Sequence, residues 1–94
     1  MGTAIITLRI MPENPEQDLG RIEKEAKTLI TAWCGNGPEK MKVIVTPIAF
    51  GMQAVDIMFP SDEKLGGTEE LEKMIAGIDG VQGCECHDVR RALG

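Results

Sequence analysis

Residues 46–59, TPIAFGMQAVDIMF, hold the join on which the fold turns. Val55, Ile57 and Phe59 share one face of a strand, with Gln53 on their side and Asp56 opposite. Just upstream, over residues 40–46, Met41, Val43 and Val45 alternate with Lys40, Lys42 and Thr46. Between these runs Pro47 removes a ladder donor and restricts the residue before it, while Gly51 permits a sharp reversal. The stretch therefore predicts two strands joined by a hairpin whose connection is 47–51. Phe50, one of only two phenylalanines in the chain, falls at its tip, where water reaches it.

The pattern extends in both directions. Ala4, Ile6, Leu8 and Ile10 alternate with Ile5, Thr7 and Arg9, the period of a half-buried strand. MPENPEQD then interrupts with prolines and turn formers. Asp18 is placed to cap a helix carrying Leu19, Ile22, Ala26, Leu29, Ile30 and Trp33 at helical spacing, and CGNGPE stops it. Beyond the hairpin PSDEKLGG reads as a polar loop. Thr68 is placed to cap a second helix with Leu71, Met74, Ile75 and Ile78 as its stripe and Gly80 as its end. Residues 81–89 form a last strand with Cys84 and Cys86 inward and Glu85 outward; Val81 and Val89 break that parity, which a bulge would explain. The order is βαβ followed by βαβ. Such units pack as an α+β ferredoxin-like sandwich, a four-stranded antiparallel sheet with two helices on one face.

With 94 residues the chain has the length of a single domain, residues 1–94, with one core. The N-terminus lacks the basic lead and apolar run of a signal peptide, Ile6 departs from the myristoylation pattern, and no run reaches a membrane span. A cytoplasmic protein without a membrane partner is the expectation. The net charge of −5 and the lack of tyrosine argue against direct nucleic-acid binding, which needs clustered cations and stacking aromatics. Three cysteines, an odd number, make a disulfide framework unexpected.

Cys84, Cys86 and His87 are soft ligands close together, yet strand alternation gives both thiols a simpler place in the core. No nucleophile and base set, glycine-rich phosphate cradle or paired carboxylate stands out, so neither covalent catalysis nor a cofactor or metal site is expected. Two features remain. Ile48, Ala49 and Phe50 form an apolar tip between Pro47 and Gly51: the ring either folds back onto the sheet edge as a satellite of the core or projects as a knob for another protein. Arg90 and Arg91, placed just after the last strand, are solvated surface or contacts for acidic or phosphate groups.

MPE at 11–13, PIAFG at 47–51, GGTEE at 66–70 and DVRRAL at 88–93, taken in this order and at these distances, resemble the archaeal elongation factor 1-beta family. PIAFG and DVRRAL are the specific parts; residues 31–46 match least. The resemblance implies the ferredoxin-like fold, the compact archaeal form, and exchange of guanine nucleotide on elongation factor 1-alpha by a monomer with no covalent chemistry of its own. It implies that Pro47, Ile48, Phe50 and Gly51 are partner-binding, with Phe50 entering the GTPase. It also supports the core reading of the cysteines, whose positions are aliphatic in the family. A lysine near the C-terminus belongs to the family's action beside the nucleotide's Mg²⁺. This chain has no lysine after Lys73, leaving Arg90 and Arg91 as the cations at that end. The alternatives are a small-molecule regulatory module of the same fold and an interaction module without exchange activity.

Overall fold

The computed structural model describes residues 2–91. Its elements are β1 (Thr3–Pro12), α1 (Leu19–Cys34), β2 (Lys42–Pro47), β3 (Gln53–Asp62), α2 (Glu69–Ala76) and β4 (Val81–Arg91). The strands form one antiparallel sheet in the order β2-β3-β1-β4. Both helices lie on one face, giving the ferredoxin-like arrangement expected from periodicity.

Alternation along β1 and β3 builds the core. Ile6, Leu8 and Ile10 pair with Phe59, Ile57 and Val55, and all six are buried. Ile22, Ala26 and Ile30 of α1 and Leu71 and Ile75 of α2 close over them. Trp33 meets Phe59 edge to face, with ring centroids 6.4 Å apart at 85°. Asp18 caps α1 as expected, its carboxylate accepting from the Arg21 N–H at 3.2 Å. Gly35 ends that helix in the left-handed region at φ 80°.

Several boundaries differ from the sequence reading. Strand β3 continues through Pro60–Asp62, the start of the segment read as a polar loop. β2 pairs only as far as Met58, so Pro60 lies beyond that ladder and its missing N–H deprives β2 of nothing. The second helix ends at Ala76 rather than near Gly80, and Ile78 reaches the core from the turn that follows. Thr68 does occupy the N-cap, but its hydroxyl donates to Glu72 at 2.7 Å instead of receiving a helix N–H.

β4 resolves the parity conflict. Its register against β1 shifts between Thr7 and Leu8 and again between Met11 and Pro12. His87 and Gln82 are the extra residues of these two bulges. Each bulge reverses the alternation, so Val81, Cys84, Cys86 and Val89 all stand opposite core residues of β1. Cys86 departs from the expected core role. It shares that face but is exposed beside the N-terminal end of α2, whereas Cys84 packs against the core.

The other face of the sheet carries a row of charge that sequence reasoning did not assemble. Arg9 on β1 sits between Glu85 on β4 and Asp56 on β3. Its guanidinium donates to both Asp56 carboxylate oxygens, at 2.9 and 3.1 Å, and the Thr46 hydroxyl adds a third bond at 2.9 Å. Burial opposes ionisation of Asp56. The hydrogen bonds from Arg9 and Thr46, together with the guanidinium charge, outweigh it and hold the carboxyl below its ordinary range. The three groups tie β1, β2 and β3 together beside the hairpin.

Asp56→Ala should lower unfolding stability by about 1.5–3 kcal/mol, the worth of hydrogen bonds to a charged group, as measured by urea denaturation. Because the folded-state pKa is depressed, this stabilisation is complete above the unfolded value of about 3.9 and is lost as pH falls through the folded value. The native protein should therefore lose more stability than Asp56→Ala on acidification below about pH 4.

Candidate functional site

The hairpin tip is built from its base outward. Pro47 is the last residue of β2 and pairs with Gln53 of β3. The Ile48 N–H donates to the Met52 carbonyl at 2.8 Å, closing residues 48–52 into a compact loop. Inside it the Met52 N–H reaches the Ala49 carbonyl at 3.3 Å. Ile48 and Met52 are half-buried at the foot of the loop, while Ala49, Phe50 and Gly51 stand free of it.

Phe50 is 97% exposed. The core-satellite reading therefore fails, because the ring is not folded onto the sheet edge. The backbone explains its direction. Phe50 has φ 63° and ψ 33°, and is the one non-glycine residue with positive φ among the described residues; Gly51 follows at φ 74°. Two left-handed residues in succession turn the chain, and the Phe50 side chain stands away from the sheet. Glycine takes that conformation without penalty, but a bulky L-residue is strained in it by about 1–2 kcal/mol. The apolar tip was legible from the sequence; the strain at Phe50 was not, since only Asn or Gly at position 50 would have advertised a left-handed residue.

Arg90 and Arg91 lie within β4, not after it, because the early start of β1 provides Ile5 and Ala4 as their partners. Arg90 stands opposite Ile5 on the open face, 80% exposed in its side chain, and donates to Asp88 at 2.8 Å. Arg91 stands opposite Ala4, on the helix side. The remainder of DVRRAL, Ala92 and Leu93, falls outside the described residues.

The tip and the arginines are not brought together. Ile10 pairs with Val55, so the tip extends past the C-terminal end of β1, whereas Arg90 is level with Ile5 near its start. Strand residues advance by about 3.3 Å, placing the arginines roughly 20 Å or more from the base of the tip along a molecule 41 Å in its longest dimension. A partner that touched both would have to extend along the sheet.

Among the described residues, no group of three or more His, Cys, Asp and Glu side chains could hold a metal ion. Burial, with Glu72, Cys86 and Glu85 nearby, pushes the Cys84 thiol up to about 12. Gly66, Gly67 and Glu69 of GGTEE border an open hollow of about 420 Å³ between α2 and the sheet, floored by Ala4 and Ile6 and edged by Thr68, Glu72, Cys86 and Val89. No helix among the described residues is long and apolar enough to cross a membrane.

Phe50→Asn should raise stability by about 1 kcal/mol, because asparagine accepts the left-handed region that strains phenylalanine; the denaturation midpoint measures this. In the folded protein Cys84 should resist iodoacetamide at pH 8 and react fully once unfolded, as read by mass spectrometry.

The match to known proteins covers almost the whole chain. Residues 5–92 match the EF-1 guanine nucleotide exchange domain. Elongation factor 1-beta of Methanothermobacter thermautotrophicus is 39% identical over 93 residues, covering 99% of this chain and 100% of the relative. The proteins of the same name from Methanobrevibacter smithii and Methanosphaera stadtmanae are 37% and 33% identical with the same coverage. The chain belongs to the elongation factor 1-beta family of guanine-nucleotide exchange domains.

Proposed function

We propose that the chain promotes release of GDP from elongation factor 1-alpha so that GTP can bind, with the hairpin tip as its wedge. Its role in translation elongation is guanine-nucleotide exchange. The observation that carries the specific reading is the position of Phe50: a phenylalanine in a chain with two, 97% exposed on a loop closed by its own backbone. A monomeric aqueous domain gains nothing by holding that ring in water. Burial in a pocket of a partner gives it a purpose.

An exchange factor breaks no covalent bond. It binds the nucleotide-free GTPase more tightly than the GDP-bound form, and by linkage nucleotide weakens its own association equally. Accelerating release by roughly 10³- to 10⁵-fold requires a barrier lowered by about 4–7 kcal/mol. Complete burial of one phenylalanine is worth about 1.5–3 kcal/mol. Phe50 thus supplies part of the effect, with Pro47, Ile48 and Gly51 beside it as partner-binding residues of the tip. Disturbance of the phosphate or Mg²⁺ contacts in the GTPase supplies the rest, with Arg90 and Arg91 as the cations proposed for that work. No cofactor of this chain enters the scheme.

The test follows labelled GDP leaving elongation factor 1-alpha in stopped flow. Phe50→Ala should reduce catalysed release roughly 10- to 150-fold, the equivalent of about 1.5–3 kcal/mol, while leaving the far-ultraviolet circular dichroism unchanged. Full activity in this variant would overturn the wedge. Arg90→Ala or Arg91→Ala should slow release at saturating exchange factor; unchanged rates in both would remove the arginines from the mechanism.

A further inference from the structure

Phe50 and Gly51 occupy the left-handed region together, and the hydrogen bond from Ile48 to Met52 closes the loop around them. An aromatic residue is a poor occupant of that region on backbone grounds. Backbone strain of this kind persists where the surrounding structure holds it, and it clusters at sites of function. Here the base of the hairpin supplies the hold: Pro47 paired to Gln53, and Thr46 bonded to Asp56 just below.

Gly51 is the second half of the device. An added Cβ at this position would meet no atom within 4 Å, so space is not the reason for glycine. Its φ of 74° is the reason. An L-residue there favours negative φ, and the chain would leave the tip in a different direction, carrying Phe50 with it.

We propose that Gly51 is a positioning residue for exchange: its left-handed backbone fixes the trajectory of the Phe50 ring before the partner arrives. Binding then costs little ordering at the tip, because the ring is already held in its projecting geometry. This deepens the wedge reading and rests on it.

The handedness of the backbone can be tested without changing side-chain size. Cys34 and Cys84 divide the chain at positions suited to native chemical ligation, with segments 1–33, 34–83 and 84–94. The middle segment is made with L-alanine or with D-alanine at position 51; D-alanine favours positive φ by symmetry. Both full-length proteins, and the all-native synthetic chain, are compared for catalysed release of labelled GDP from elongation factor 1-alpha and for affinity toward its nucleotide-free form. Urea midpoints are recorded alongside. The expected result is a loss of tenfold or more in both functional measurements for Gly51→Ala in the L form, with the D form within twofold of native. The D form excludes a general loss of fold and an effect of bulk. Equal activity of both forms at the native level, equal loss in both, or loss confined to the D form would each overturn the positioning role. Phe50→Ala separates this from failure of the wedge itself: if that variant retains full exchange activity, the reading beneath the proposal is wrong, whereas its loss with both Gly51 variants active removes the positioning role alone.

Discussion

The prong at one end of this protein depends on the clamping of β3 against β1 beneath two helices. Ile6, Leu8 and Ile10 lie against Phe59, Ile57 and Val55 on the covered face, and Arg9 grips Asp56 on the other. The aliphatic contacts supply most of the driving force, in proportion to the surface they remove from water. The ion pair adds direction, because two hydrogen bonds from one guanidinium fix the register of the neighbouring strands. Thr46 extends the grip to β2. A hairpin held on both faces at its base can support a loop conformation that the loop's own residues would not choose.

Periodicity alone carried a long way. The alternations in β1, β2 and β3 and the helical spacing of Ile22, Ala26 and Ile30 were sufficient to give the element order and the covered face. What escaped were features that depend on pairing. Pro60 looked like the start of a loop, since nothing local indicates that the β2 ladder stops at Met58. Val81 and Val89 contradicted simple alternation because His87 and Gln82 are inserted relative to β1, and bulges leave no dependable mark in composition. Arg9 and Asp56 were assigned to outward faces individually, but their encounter required the β1–β3 register.

The candidate site was legible in the same uneven way. Pro47 and Gly51 marked a turn, and the absence of polar residues between them marked an apolar tip. Whether the ring lay against the sheet or away from it was undecided by sequence, since the same residues serve either arrangement. The almost complete exposure of Phe50 decides it. The arginines illustrate the converse. Their adjacency in sequence implied one basic patch, yet successive strand residues face opposite sides, and the pairing of Arg90 with Ile5 and of Arg91 with Ala4 separates them across the sheet.

The irregularity of β4 has a consequence for life in a crowded solution. This strand forms one border of the sheet, where unsatisfied backbone groups invite other chains to add themselves. Its two dislocations interrupt the straight run of donors and acceptors that such self-templating needs, and the opposite border is only six residues long and closes on a proline. A protein obliged to carry an oily prong in the open is thereby poorly suited to polymerise with its own copies.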